Sequence, residues 1–226
     1  MKLIGLLSFF GPDKDYLADD VKDLHALGVD TIVAVDGSYS NYPGGEARSP
    51  VDCSEILIDE CRLRDVSLLL YQPNVVWAGD EVQKRQVMID LAWSVAEHGD
   101  WFVVWDCDYK LLDSPCSRDI YRSLDESMCQ EDFATVSFTE SSNDDGWHPM
   151  QMFIRAQPVT MAGNHHTYRL TDGRQSQILR RPVENMADAL DLSEIKVRHR
   201  VHERDPERRK GQTEYYETRD RLGLEA

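Results

Sequence analysis

Apolar and polar positions fall into blocks along this chain, and the blocks change period in a regular order. Residues 2 to 10 (Lys2-Leu-Ile-Gly-Leu-Leu-Ser-Phe-Phe10) are a nearly unbroken apolar run, which predicts a buried strand. From Tyr16 to Leu27 the apolar residues instead recur as Leu17, Val21, Leu24 and Leu27, one face of a helix that Gly28 stops. Thr31-Ile-Val-Ala-Val35 is a second buried strand, ending at Asp36-Gly37. A loop rich in Ser, Tyr, Pro and Gly follows from Ser38 to Pro50. Next come a helix near Asp52 to Arg64, a strand near Val66 to Tyr71, a loop through Trp77-Ala-Gly79 and a long helix from about Asp80 to His98. The fourth strand lies in Gly99-Asp-Trp-Phe-Val-Val-Trp-Asp106. Strands alternating with helices in this way, joined by right-handed crossovers, predict a mostly parallel sheet covered on both faces.

The second half changes character. A helix near Ser117 to Cys129 leads to a strand at Phe133 to Phe138 and an acidic loop from Glu140 to Gly146. Met150 to Ile154 reads as a strand, and Asn164 to Leu170 with Gln175 to Leu179 as an antiparallel hairpin around Thr171-Asp-Gly-Arg174. A polar helix near Glu184 to Leu190, a short strand near Ile195 to His199 and a charged helix from about Pro206 to Leu222 complete the pattern. The expectation is therefore an α/β fold: a Rossmann-like, mostly parallel sheet flanked by helices, with a small antiparallel extension and a C-terminal helix. One domain over residues 1–226 suits the length, divided into halves at 108 and 109.

At 41% hydrophobic and 29% charged residues, the composition is that of a globular protein in water. No apolar run approaches the roughly 20 residues that span a bilayer, so no membrane partner is expected. The opening run is followed by Gly-Pro-Asp-Lys-Asp rather than a small-residue cleavage site, and reads as a core strand, not a signal peptide. The five cysteines are odd in number and form no C-x-x-C pair, which fits a reducing cytoplasm rather than a disulfide framework or structural zinc. The net charge of −16 disfavours nucleic acid in general. It is uneven, however: from Lys196 to Lys210 there are seven Lys/Arg against three Asp/Glu, a local +4. That segment is either a seat for phosphates or a solvated helix face laced with ion pairs.

Candidate chemistry centres on the end of the fourth strand. An apolar strand stopping in Asp106-Cys107-Asp108 would aim both carboxylates to one side, where a hard divalent cation and a diphosphate can sit. With 41 Asp and Glu in the chain such pairs also arise by chance, Asp13/Asp15 and Glu203/Asp205 among them. Those lie in polar surroundings; Asp106/Asp108 follows a buried strand. The competing reading is a pair of helix-capping or solvated aspartates.

Taken together, Asp36-Gly37-Ser38 and Asp106-Cys107-Asp108 on two strand ends resemble the paired nucleotide-binding signatures of GT-A fold glycosyltransferases, the second being their DxD motif. The likeness extends through Glu81-Val-Gln-Lys84-Arg85, Met152-Phe-Ile-Arg155 and Gly163-Asn-His165-His166-Thr-Tyr168. With the closing run from His199-Arg200 through Arg204, Arg208, Tyr215-Tyr216 and Arg219 to Glu225, it is similar to small family 2-like glycosyltransferases of bacteriophages and actinobacteria. One departure is that inverting members place a catalytic base in an acidic pair well after the DxD, and no equivalent pair stands out here.

The resemblance implies a metal-dependent enzyme that moves a sugar from a nucleotide diphosphate donor, a UDP-hexose such as UDP-glucose, to an acceptor hydroxyl. Residues 1–108 would be the nucleotide-binding half and 109–226 the acceptor side with the basic segment. Asp108 would ligate Mn²⁺ or Mg²⁺, Asp106 would reach the ribose or a metal-bound water, and His165 would complete the metal shell or line the acceptor site. Asp36 would accept from the imide N–H of uracil. Lys84 and Arg85, near a helix amino terminus, and His199 and Arg204, in the basic segment, would meet the diphosphate. Trp77, Trp147 and Tyr168 are stacking or core residues. Two acceptors follow from the likeness: a hydroxymethylated pyrimidine in phage DNA, or a phage or host protein hydroxyl. The rival readings are a binding module without catalysis, and a nucleotidyltransferase, whose Gly-rich loop Phe10-Gly11-Pro12-Asp13 does not supply.

Overall fold

The computed structural model describes residues 1–78, 81–126, 131–162, 164–177, 189–203 and 206–222. Its first half builds β1 (Leu3–Ser8), α1 (Lys14–Ala26), β2 (Thr31–Val35), α2 (Val51–Leu63), β3 (Ser67–Tyr71), α3 (Glu81–Val95) and β4 (Trp101–Asp106). The second half adds β5 (Tyr109–Asp113), α4 (Ser117–Glu126), β6 (Phe133–Thr139), β7 (His148–Arg155) and β8 (Val159–Ala162). After these come β9 (Asn164–Leu170), β10 (Gln175–Gln177), β11 (Ala189–His199) and α5 (Pro206–Leu222). The result is an α/β architecture. An eight-stranded sheet runs in the order β3-β2-β1-β4-β7-β6-β11-β5, and a three-stranded antiparallel sheet in the order β10-β9-β8.

Four neighbouring strands, β3, β2, β1 and β4, are parallel, and β7 then joins β4 in the antiparallel sense. The central pair explains the unbroken apolar runs. A parallel strand covered on both faces has no solvent side, so Leu3, Leu6 and Leu7 of β1 and Trp101, Val103 and Trp105 of β4 are all buried. Truncating a buried aromatic such as Trp105 would cost about 3–5 kcal/mol. β3, at the edge, is only half covered.

On α1 the predicted face, Leu17, Val21 and Leu24, lies against the sheet, and Gly5 of β1 lets it approach. A Cβ at Gly5 would stand 3.2 Å from the Leu24 methyls. Gly28 ends this helix with φ +92, a left-handed conformation for which glycine carries no penalty.

Several expectations are corrected. Tyr109 to Asp113, given no element from the sequence, is a strand at the far edge of the large sheet, where it pairs antiparallel with β11. Val159 to Ala162 is likewise a strand, β8, beside β9. β11 begins at Ala189 rather than near Ile195, and Ala189 and Leu190, expected at the end of a helix, pair in parallel with Phe133 and Ala134. Their alternation is broken by polar residues and by register shifts in the ladder, which hides a period of two. The rest of that expected helix, 184–188, lies outside the described residues, as do 127–130 at the end of the helix after Ser117.

Candidate functional site at the strand carboxyl ends

The register aligns three strand ends. Ser8 at the end of β1 pairs with Val35 of β2 on one side and with Asp106 of β4 on the other. From β1 the chain steps outward through β2 and β3, then α3 carries it back across β1 to β4. That reversal between β1 and β4 is the crevice where open α/β sheets bind ligands, outside the carboxyl ends of the strands. Asp36 and Asp106 both fall at this edge, and the amino-terminal turns of α3 face it with Glu81, Lys84 and Arg85, all buried.

Arg85 binds Asp106, Nη2 to Oδ1 at 2.6 Å, and stands 3.9 Å from Glu81. Burial works against the guanidinium charge, but Asp106, the nearby Tyr168 hydroxyl and Glu81 outweigh it and hold its pKa above the ordinary value. Asp108 takes a different partner: its Oδ2 lies 3.1 Å from Nε2 of His199, at the end of β11. The other ring nitrogen of His199 faces Glu140 at 3.6 Å, and the imidazole packs edge-on against Tyr109. The amide of Arg200 donates to the Asp108 carbonyl at 2.6 Å, so the residues after β11 are fastened to the residues after β4. The two carboxylates thus engage side chains from two different elements, the Arg85 guanidinium on α3 and the His199 imidazole on β11. The alternation argument stops at Asp106, because β4 ends there and Cys107 and Asp108 lie in a turn.

Asp36, expected to meet a nucleobase, is fully buried and holds the protein's own donors. Its carboxylate accepts from the Gly37 amide at 2.6 Å, the Ser49 amide at 3.0 Å and Gln72 Nε2 at 3.1 Å, and also from the Ser49 hydroxyl. Its backbone carbonyl accepts from Trp77 Nε1 at 2.8 Å. Asp36 therefore ties both ends of the Ser38 to Pro50 loop to β3. Gly37 turns this corner at φ +100, and a Cβ there would meet the Ala47 carbonyl at 2.4 Å, so no other residue fits without moving the loop.

Lys84 is also turned inward. Its ammonium donates to the carbonyls of Phe9 at 2.6 Å and Gly37 at 2.8 Å, bridging the ends of β1 and β2, and stands over the Tyr39 ring. Burial pushes its pKa down to about 8. In this arrangement Asp36 and Lys84 shape the crevice from beneath.

The C-terminal helix reaches the same edge. Tyr215 of α5 is buried, stacked on Tyr39 at 5.4 Å and near Tyr42 at 5.9 Å. Within the basic segment, Lys196 lies over Trp147, and Arg198 pairs with Asp144 and Glu203. Arg200 is buried between Asp19 and Asp20 on the Tyr16 ring. These cations serve the fold. Asp20, which also accepts from Trp105 Nε1, has its pKa raised by burial against the pull of Arg200. Nothing in the amphipathic pattern of α1 marks this buried carboxylate.

Of the remaining candidates, Trp77 and Tyr168 are buried, and Trp147 donates to the Asp144 carbonyl. His165 lies on β9, but its side chain and all of Arg204 are outside the described residues. Sequence reasoning missed Glu140, Tyr39 and Arg200. Each is distant in sequence from its partner: Glu140 opens the acidic loop and Arg200 lies in the basic segment, but neither position names its partner, and no pattern marks Tyr39.

Among the described residues, no three His, Cys, Asp or Glu side chains form a group that would hold a metal ion. Asp106 and Asp108 are nevertheless hard oxygen donors of the kind Mg²⁺ and Mn²⁺ take one or two at a time, the remaining ligands coming from phosphates and water.

No protein-family model matches the chain, and no curated protein does. Among solved structures it is similar to mannose-6-phosphate isomerase from Helicobacter pylori, at 14% identity and a TM-score of 0.34 over 70% of this chain and 61% of that one. The chain therefore spans less than two thirds of that protein's length. No helix of the described residues is long and apolar enough to cross a membrane.

Proposed function

We propose that this chain is a GT-A-like, metal-dependent glycosyltransferase that moves a hexose from a nucleotide diphosphate, UDP-glucose or a close relative, to an acceptor hydroxyl. The observation that carries the reading is the placement of Asp106 and Asp108 at the end of β4, beside the strand-order reversal and the buried amino-terminal turns of α3. Binding at this edge is what open α/β sheets do, and the carboxylate pair supplies the cation site that a diphosphate requires.

Asp108 and Asp106 would hold Mn²⁺ or Mg²⁺, which supplies Lewis-acid stabilisation of the departing diphosphate. Arg85 fixes Asp106 and adds positive charge at the same edge. His199 stands against Asp108 and orients that carboxylate from the β11 side. Asp36 and Lys84 keep the β1 and β2 ends and the Ser38 to Pro50 loop in the shape that receives the nucleotide. The short turn after β1, Gly11–Asp13, closed by the Asp13 carboxylate on the Phe10 amide, is unlike the Gly-rich loop of a nucleotidyltransferase and supports the glycosyltransferase reading over that rival.

The resemblance points to a hydroxymethylated pyrimidine in DNA as acceptor. A protein hydroxyl is the second reading, favoured by the engagement of Arg198 with Asp144 and Glu203 and of buried Arg200 with Asp19 and Asp20, which leaves fewer cations to track phosphates. A panel of nucleotide sugars with Mn²⁺, read by release of nucleoside diphosphate, tests the activity. Turnover with one donor that EDTA abolishes is the expected result. Absence of release with every donor, with and without metal, overturns it. Transfer to modified duplex DNA that falls steeply with salt would then select the first acceptor, and transfer to protein the second.

A further inference from the structure

A cavity opens away from these strand ends, between α3 and the three-stranded sheet, with a volume of about 190 Å³. Asp90 and Trp93, which line it, follow Arg85 by five and eight residues, roughly 7.5 and 12 Å along the helix axis. Its floor is apolar, with Ile89 and Leu170 each 2% exposed. One wall is the indole of Trp93, which is 41% exposed, unusual for the largest apolar side chain on a helix packed against two sheets. The lining also includes Asp90, Arg169 and Thr160, which bring a carboxylate, a guanidinium and a hydroxyl to the site.

The polar rim is built rather than incidental. Gln86 donates to Asp90 Oδ1 at 2.9 Å and to the Val159 carbonyl at 3.2 Å, and accepts from the Met161 amide at 2.8 Å. One side chain thus fastens α3 to β8 and orients the Asp90 carboxylate.

We propose that this cavity binds one neutral hexopyranose unit. A pyranose has an apolar C–H face that an indole ring covers, and hydroxyls that both donate and accept. Asp90 accepts, Arg169 donates and Thr160 does either, so the rim offers both kinds of partner. The rim carries one anionic and one cationic side chain rather than a cluster of cations, which suits an uncharged polyol better than a phosphate or carboxylate. An apolar floor with a few placed polar groups is the usual form of a small-molecule site, and this one is sized for a single ring. The proposal stands apart from the transferase reading, since it uses none of Asp106, Asp108, Arg85 or His199.

The test is a titration of the intact chain with the methyl glycosides of glucose, mannose and galactose, followed through the tryptophan indole N–H resonances. Trp93 is assigned by the signal lost in Trp93→Ala. The expected result is a saturable shift of the Trp93 signal by at least one glycoside, with a Kd on the order of 1 mM. Arg169→Gln and Asp90→Asn, both at exposed positions, should each weaken it about tenfold while the other indole signals stay in place. The proposal is overturned if no glycoside moves the Trp93 signal, or if glucose 6-phosphate or adenosine binds more tightly than every neutral glycoside. It is equally overturned if both rim variants bind as tightly as the native chain. Release of nucleoside diphosphate plays no part in this readout, so the two readings fail separately.

Discussion

Replacing Lys84 with methionine should change how stability depends on pH more than it changes stability itself. The ammonium lies buried between the Phe9 and Gly37 carbonyls, and desolvation lowers its pKa from 10.5 to about 8 although Asp13 and Asp36 pull the other way. Between those two values the unfolded chain holds a proton that the folded chain has released, so this group makes stability rise with pH. Below pH 8 the whole penalty of burying the charge is present; above 10.5 it is gone. The gap corresponds to about 3 kcal/mol.

Other groups act in the opposite sense, since Cys53 and Cys61, pushed up to about 11 by burial, cost stability above pH 9. They are common to both proteins and cancel in the comparison. At pH 7 Lys84→Met removes the roughly 3 kcal/mol penalty but strands two buried carbonyls at about 1–3 kcal/mol each, a net change near zero or modestly unfavourable. Urea unfolding of native and Lys84→Met protein at half-unit steps from pH 7 to 10.5 reads both effects. The native chain should gain about 3 kcal/mol on the variant across the upper part of that range. Parallel curves would refute the argument and place the Lys84 ammonium in contact with water.

Asp108→Asn should keep the fold and lower metal-dependent release of nucleoside diphosphate by at least about a hundredfold, the scale of losing one charge-stabilising group; full turnover in that variant would contradict the metal role. Asp36→Ala leaves the donors of Gly37, Ser49 and Gln72 without their acceptor and should cost about 3 kcal/mol, with faster amide exchange confined to residues 37–50 and unchanged protection there as the opposing result. Arg85→Met should destabilise by about 1–3 kcal/mol because it removes the cation paired with the partly buried Asp106 carboxylate. Adding Asp106→Asn should restore much of that loss, whereas strictly additive costs in the double variant would show that the two side chains do not act as a pair.

Periodicity along the chain determined most of the elements. The apolar runs in β1, β2 and β4 and the spacing of Leu17, Val21 and Leu24 in α1 are local consequences of which faces must leave water, and local sequence carries that information. The same logic located Asp36 and Asp106 at strand ends, because a polar residue after a buried run marks where the strand emerges. It did not reveal β5 or the start of β11, whose polar residues and shifted register obscure the alternation.

Nor did sequence reveal what the charged side chains meet. Asp106 and Asp108, one residue apart, stand at one edge, but their spacing did not show that the turn after β4 sets one beside Arg85 on α3 and the other beside His199 on β11. Asp20 sits buried on a face that looks like an ordinary amphipathic helix because Arg200, brought over by β11, is there to meet it. Lys84 and Arg85 look alike in sequence but have opposite duties, one bonded to backbone carbonyls and the other to a carboxylate at the crevice. The physical reason is common to all of them. A pattern of apolar and polar residues specifies which side of an element is buried, whereas the partner of a buried charge depends on strand order and register. Those are set jointly by every pairing in the sheet, and so only the tertiary structure decided them.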